Sequence, residues 1–144
     1  MAGTGAPLDL PKELQPGLSG LAEIVVGTRD TAPHVGSGKI GVLATPIMVN
    51  LMEAAALQAV ERFMPAGFQT VGTHLDVKHF AATPVGMRVR ARADLVRVDG
   101  RTLTFRLQAE DDREPIGEGM HERLIINVER FDARMQKKLK GERG

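Results

Sequence analysis

Three residues of this chain have the types and spacing for acid–base chemistry: Thr45, Glu53 and His79. Glu53 stands inside "NLMEAAAL", where the other side chains are suited to burial. On a helix of ~100° per residue, Asn50, Gln58, Glu61 and Arg62 share a polar arc of roughly 120°, and Glu53 falls about 60° outside it. Among Val49, Leu57 and Val60, an ionised carboxylate is costly unless it is paired or hydrogen-bonded. The helix alone leaves two readings: an edge residue whose carboxylate reaches water, or a buried group held for chemistry.

His79 raises the same question on a strand. In "TVGTHLDVKHFAA" the alternation sets Val71, Thr73, Leu75, Val77 and His79 on one face and Gly72, His74, Asp76 and Lys78 on the other. An inward histidine is ordinarily a hydrogen-bonded structural residue, and a β-bulge would reverse the parity altogether. If both residues do point inward, Glu53 and His79 lie on elements that must pack together and form an acid–base pair. Thr45 adds a hydroxyl at the helix start as the expected N-cap, with Pro46 at the first helical position. The free N–H groups there can stabilise an oxyanion.

Other motifs carry less. "GSGKIG" (36–41) satisfies G-x-G-x-x-G but does not join a strand to a helix of a parallel unit, and Ile40 stands where a P-loop needs Ser or Thr. It reads as a flexible loop, with an active-site lid as the functional alternative. Arg88, Arg90 and Arg92 form a basic row on the solvent face of a strand. His34, His74 and His121 read as surface residues, and no His–carboxylate spacing suits a metal.

The elements that position these groups follow from the pattern. Residues 1–17, rich in Pro and Gly, form a flexible lead-in; a strand covers 18–27, and "TRDTAPHVGSGKIG" is a loop. A helix runs from Thr45 to about Phe63, where "PAG" stops it. Period-two alternation then takes over. Val89, Ala91, Ala93 and Leu95 alternate with charges, "DG" at 99–100 marks a hairpin, and Leu103, Phe105, Leu107 and Ala109 repeat the pattern. A last strand spans about Ile116 to Val128, and 131–144 form a basic, helical tail. Alternation demands an antiparallel sheet with one wet face, and only one helix is apolar enough to cover the other. The expected class is α+β, a single domain over 18–130 in which one long central helix is wrapped by a curved antiparallel sheet; this is the hotdog arrangement, though composition alone allows other α+β sandwiches of this order.

Composition narrows the function. With 144 residues, a net charge of +1, five Phe and no Trp or Tyr, the chain has neither the charge nor the stacking surface for nucleic acid. With no cysteine, thiolate chemistry and disulfides are excluded. No secretion signal or membrane span is present, so the expected location is cytoplasmic.

"ATPIMVNLMEAA", "VGTHLDVKHFAATPVG" and "IGEGMHERLIINVERF" together resemble the fluoroacetyl-CoA thioesterase-like family of hotdog proteins, over most of the chain from about Leu18. The resemblance implies that Thr45, Glu53 and His79 are catalytic. It implies that the Gly72 backbone lies at the thioester carbonyl and that Arg123 stands near the active site. It also implies a homodimer, or a higher oligomer, acting on an acyl-CoA with no cofactor beyond the CoA of the substrate. The family's lid phenylalanines are absent from "HVGSGKIGVLA", so the expected substrate is a short acyl chain rather than fluoroacetyl specifically. Two other readings remain for such a pocket: a non-catalytic acyl-CoA-binding module, and a hydratase or dehydratase.

Overall fold

A computed structural model describes residues 8–144. Five strands, β1 (Ser19–Val25), β2 (Phe68–His79), β3 (Arg88–Asp99), β4 (Thr102–Asp111) and β5 (Pro115–Asn127), form one curled antiparallel sheet in the order β1-β3-β4-β5-β2. A one-turn helix α1 (Ala32–Val35) precedes the long helix α2 (Thr45–Val60), and α3 (Val128–Leu139) follows β5.

The helix covers the sheet because its sequence leaves it no alternative. Met48, Leu51, Met52, Ala55, Ala56, Ala59 and Val60 are all buried, and they meet Ala91, Leu95, Phe105, Leu107 and Ile125 from the alternating inner face of the sheet. Truncating Met52, which has no exposure, to Ala would cost ~3 kcal/mol. Gly20 lets β1 approach α2: a Cβ there would collide with the Ala55 carbonyl oxygen. Gln58 Oε1 accepts a 3.0 Å hydrogen bond from Leu21 N at the same crossing.

Several boundaries differ from the sequence expectation for identifiable reasons. α2 tightens into a 3-10 turn at Glu61–Phe63 before Pro65 and Gly67 end it. The expected loop contains α1, which starts after Thr31 with Pro33 in its first turn and closes at Gly36 in the left-handed region (φ 86°). The "DG" hairpin turns at Gly100 with φ 60°. The first seven residues of the expected lead-in lie outside the described residues. From 8 to 17 the chain has no helix or strand, yet Leu14 is 6% exposed and packs in the core. No helix among the described residues is long and apolar enough to cross a membrane.

Two features of the frame bear on the site. Among the described residues the sheet ends at β2, whose only strand partner there is β5, so its outer edge carries backbone groups that no described strand pairs. The pairing of β2 with β5 also slips between Gly72 and His74, which leaves Thr73 as an extra residue.

Candidate active site

The bulge at Thr73 corrects the expected parity of β2. Before it, Thr70 is buried and Gly72 faces α2, while Val71 and Thr73 do not hold the core positions that alternation assigned to them. After it, Leu75, Val77 and His79 pair with His121, Gly119 and Gly117 on the inner face. One extra residue flips every side chain upstream of it, so the assignment is right for His79 and wrong for Gly72. Both residues face α2.

The structure brings the candidates together in two groups. At the start of α2, Thr45 Oγ1 lies 2.7 Å from His79 Nδ1. Thr45 is not the N-cap; Ala44 is, and it makes no side-chain cap. Thr45 is the first helical residue and its hydroxyl is spent on His79. The Nε2 of His79 is buried with no hydrogen-bond partner among the described residues. Burial lowers the His79 pKa below its ordinary value, partly opposed by a backbone hydrogen bond with Ala81, so the ring favours its neutral form. A cleft of about 340 Å³ opens here, lined by Ala32, Ser37, Val42, Thr45, His79 and Ala82.

A buried carboxylate fixes the frame around this pair. Asp111, at the end of β4, accepts hydrogen bonds from Thr83 Oγ1 (2.8 Å), Arg113 N (2.8 Å) and Glu114 N (3.0 Å). Burial alone would raise its pKa; the hydrogen bonds outweigh that and hold the carboxyl below its usual range. Thr83 O in turn accepts from Leu43 N (2.9 Å), which ties the turn after His79 to the segment entering α2.

The second group lies two helical turns along. Glu53 is half-buried, with its side chain 36% exposed, and Oε2 sits 3.8 Å from Arg123 Nη1. A Cβ on Gly72 would lie 3.0 Å from that same Oε2 and 3.2 Å from His121 Cε1, so the backbone of β2 passes directly beneath the carboxylate. Only glycine leaves this approach open. Arg123, across the strand pair from Gly72, is 7% exposed. Its Nε donates to Thr70 Oγ1 (2.9 Å) and its Nη2 to Thr70 O (3.2 Å). Burial pushes the Arg123 pKa down and the Glu53 charge pushes it back up; the guanidinium remains a cation.

Glu53 and His79 are therefore not a direct pair within one chain. Glu53 meets Arg123 and Gly72, whereas His79 meets Thr45, and the eight-residue step from Thr45 to Glu53 separates the groups by about 12 Å along α2.

His121 is a second correction. It is fully buried, not a surface residue, with Nδ1 2.8 Å from His74 O and Nε2 3.2 Å from Arg123 Nη1. The signal for it was available: stepping back by two from Ile125 places Arg123, His121, Gly119 and Gly117 on one face. His34 and His74 are exposed, as expected. The Arg88–Arg92 row is occupied by its neighbours: Arg88 and Arg90 pair with Glu23 at 3.4 and 3.0 Å, and Arg92 pairs with Asp94 at 3.0 Å.

Residues 26–129 match the family described as fluoroacetyl-CoA-specific thioesterase. The chain belongs to this family. Within it, the fluoroacetyl-CoA thioesterase of Streptantibioticus cattleyicolor is 42% identical over 97 residues, 67% of this chain and 70% of that protein. A solved structure of a fluoroacetyl-CoA thioesterase superposes with a TM-score of 0.82 at 35% identity, covering 87% of this chain and 97% of the other. A Thermus thermophilus member of the thioesterase superfamily, 26% identical, gives a TM-score of 0.80 over 96% of this chain and 100% of its own. A hot-dog-like protein from Thermanaerovibrio acidaminovorans shares the fold at 22% identity, with a TM-score of 0.79 over 85% and 91% of the two chains. The family's architecture is that of this chain: a hotdog, with α2 against a five-stranded antiparallel sheet.

Proposed function

We propose that this protein is a cytoplasmic acyl-CoA thioesterase that hydrolyses short-chain acyl-CoA to the free acid and CoA, with no cofactor beyond the CoA of its substrate. The observation that carries the reading is the placement of the Glu53 carboxylate over the Gly72 backbone, with Arg123 beside it. A carbonyl carbon seated in that gap meets a carboxylate on one side and a cation with backbone dipoles on the other. That is the arrangement acyl transfer requires.

In the reaction, Glu53 acts as general base on water or as nucleophile on the carbonyl carbon. Either route forms a C–O bond, passes through a tetrahedral oxyanion held near Gly72 and Arg123, and breaks the C–S bond. The departing thiolate accepts a hydrogen bond from His79. With Thr45 Oγ1–H donating to Nδ1, the ring proton that makes this bond resides on Nε2, the buried ring nitrogen that has no partner among the described residues. The proton released by the attacking water, or by the water that cleaves the acyl intermediate, ends on the thiolate.

The separation of the two groups is resolved by a homodimer. An exposed edge strand of this length pairs with another strand unless it is covered. Two β2 edges joined antiparallel about a two-fold axis near Leu75 and Asp76 bring Gly72 of each copy beside His79 of the other. Leu75, inward-facing and 41% exposed, is then covered. Each site takes Glu53, Gly72 and Arg123 from one copy and Thr45 and His79 from the other.

The cleft beside His79 holds a short acyl group against Ala32, Ser37 and Val42, with Phe80 as the aromatic residue of its lining. Thiol release measured across acetyl-, fluoroacetyl-, butyryl- and octanoyl-CoA tests the reading. Turnover of the two- to four-carbon esters supports it, and binding of CoA esters without turnover of any overturns it.

A further inference from the structure

We infer that His121 is a positioning residue that sets the plane of Arg123 so that Nη1 faces the gap between Glu53 and Gly72. The inference rests on the thioesterase reading and extends it to a residue that touches neither substrate nor reacting atoms.

The argument begins with hydrogen-bond valence. A guanidinium has donors and no acceptor, so the group 3.2 Å from Arg123 Nη1 must offer a lone pair. That group is His121 Nε2, which is therefore unprotonated. His121 Nδ1 faces the carbonyl oxygen of His74 at 2.8 Å, and a carbonyl only accepts, so Nδ1 carries the proton. The neutral Nδ1–H tautomer is the only state of the ring that satisfies both contacts. Full burial and the Arg123 charge favour it, and both lower the His121 pKa. The ring is held on its other side by Phe105, with centroids 6.1 Å apart.

The consequence falls on Arg123. Nε and Nη2 are bound to Thr70 and one Nη1 proton to His121, so three contacts on two strands immobilise a planar group. The other Nη1 proton is left for the Glu53 side, where Oε2 at 3.8 Å is an ion-pair partner beyond hydrogen-bond length. A donor so placed is free for the oxyanion that forms over Gly72. The bond to His74 O also locks β2 immediately after its bulge, the segment that aims Gly72 at the carboxylate.

A merely structural histidine and a positioning one predict different variants. In His121→Asn the amide N–H keeps the bond to His74 O but nothing reaches Arg123. In His121→Gln the longer side chain presents Oε1 to Arg123 Nη1 and gives up His74. The inference expects Asn to lower kcat for acetyl-CoA by ~30-fold with KM nearly unchanged, and Gln to recover most of the loss. Equal effects of the two, or losses that simply follow their melting temperatures, overturn it. Should neither variant fold, two-bond 1H–15N spectra of the wild type decide instead. A ring protonated on Nδ1 alone is expected, and one protonated on Nε2 overturns the inference. Wild type that hydrolyses no ester removes the thioesterase reading and this inference with it, whereas active wild type with an unaffected Asn variant removes the inference alone.

Discussion

The hydroxyl of Thr45 and the imidazole of His79 meet at 2.7 Å, closing the start of α2 onto the end of β2 across 34 residues of sequence. With the Thr45 hydroxyl as donor the ring proton sits on Nε2, so the bond matters to turnover more than to folding. Thr45→Ser keeps the oxygen and should retain kcat within about three-fold, while the isosteric Thr45→Val should lower it by ~10–100-fold. Steady-state kinetics on acetyl-CoA check this, with melting temperature as the control. Equal activity of Ser and Val would remove the hydroxyl from the mechanism.

Gly72 has no positive φ to protect, so its substitution tests space alone. A methyl group there comes 3.0 Å from Glu53 Oε2 and must push the carboxylate off the strand. Gly72→Ala is expected to cost ~10-fold or more in kcat while unfolding at nearly the wild-type temperature. A fully active Gly72→Ala enzyme would show that the reacting carbonyl lies elsewhere.

Stability should fall with pH in two steps. His79 and His121 have folded pKa values below their ordinary 6.5, so the unfolded chain binds more protons as pH drops through that value. Their contribution is present above pH 6.5 and is lost as pH falls towards their folded values. Asp111, lowered from 3.8, adds a second loss below that pH. Calorimetry across this range should show both. His121→Asn should flatten the upper step, and Asp111→Asn the lower, with Asp111→Asn also costing ~1–3 kcal/mol at neutral pH through its weakened hydrogen bonds.

The fold was legible because local signals agreed with one another. Thr45–Pro46 opens α2, Asp99–Gly100 turns the hairpin, and the alternations from Val89 and Leu103 give two strands with correct faces. Glu53 and His79 were legible as polar residues in apolar settings, and both do face the helix–sheet boundary. The bulge at Thr73 was not, because "VGTHL" carries no local mark of a register slip; the slip arises from pairing with a strand some fifty residues away. For the same reason the alternation of β2 misplaced Gly72. His121 was overlooked because a histidine between Met120 and Glu122 looks exposed until the strand is anchored at Ile125. The separation of Glu53 from His79 depends on where α2 sits along the sheet, a tertiary quantity that no spacing in the sequence encodes.

The central claim is that Glu53 of one copy and the Thr45–His79 pair of another act on the same thioester. Co-expression of Glu53→Gln and His79→Ala chains, each carrying a different affinity tag, tests it most directly. Each homodimer should be inactive. The doubly purified heterodimer should hold one intact site and one doubly defective site, and should recover about half the wild-type activity. A heterodimer as inactive as its parents, with active wild-type enzyme alongside, would place both residues in one chain's site and contradict the account.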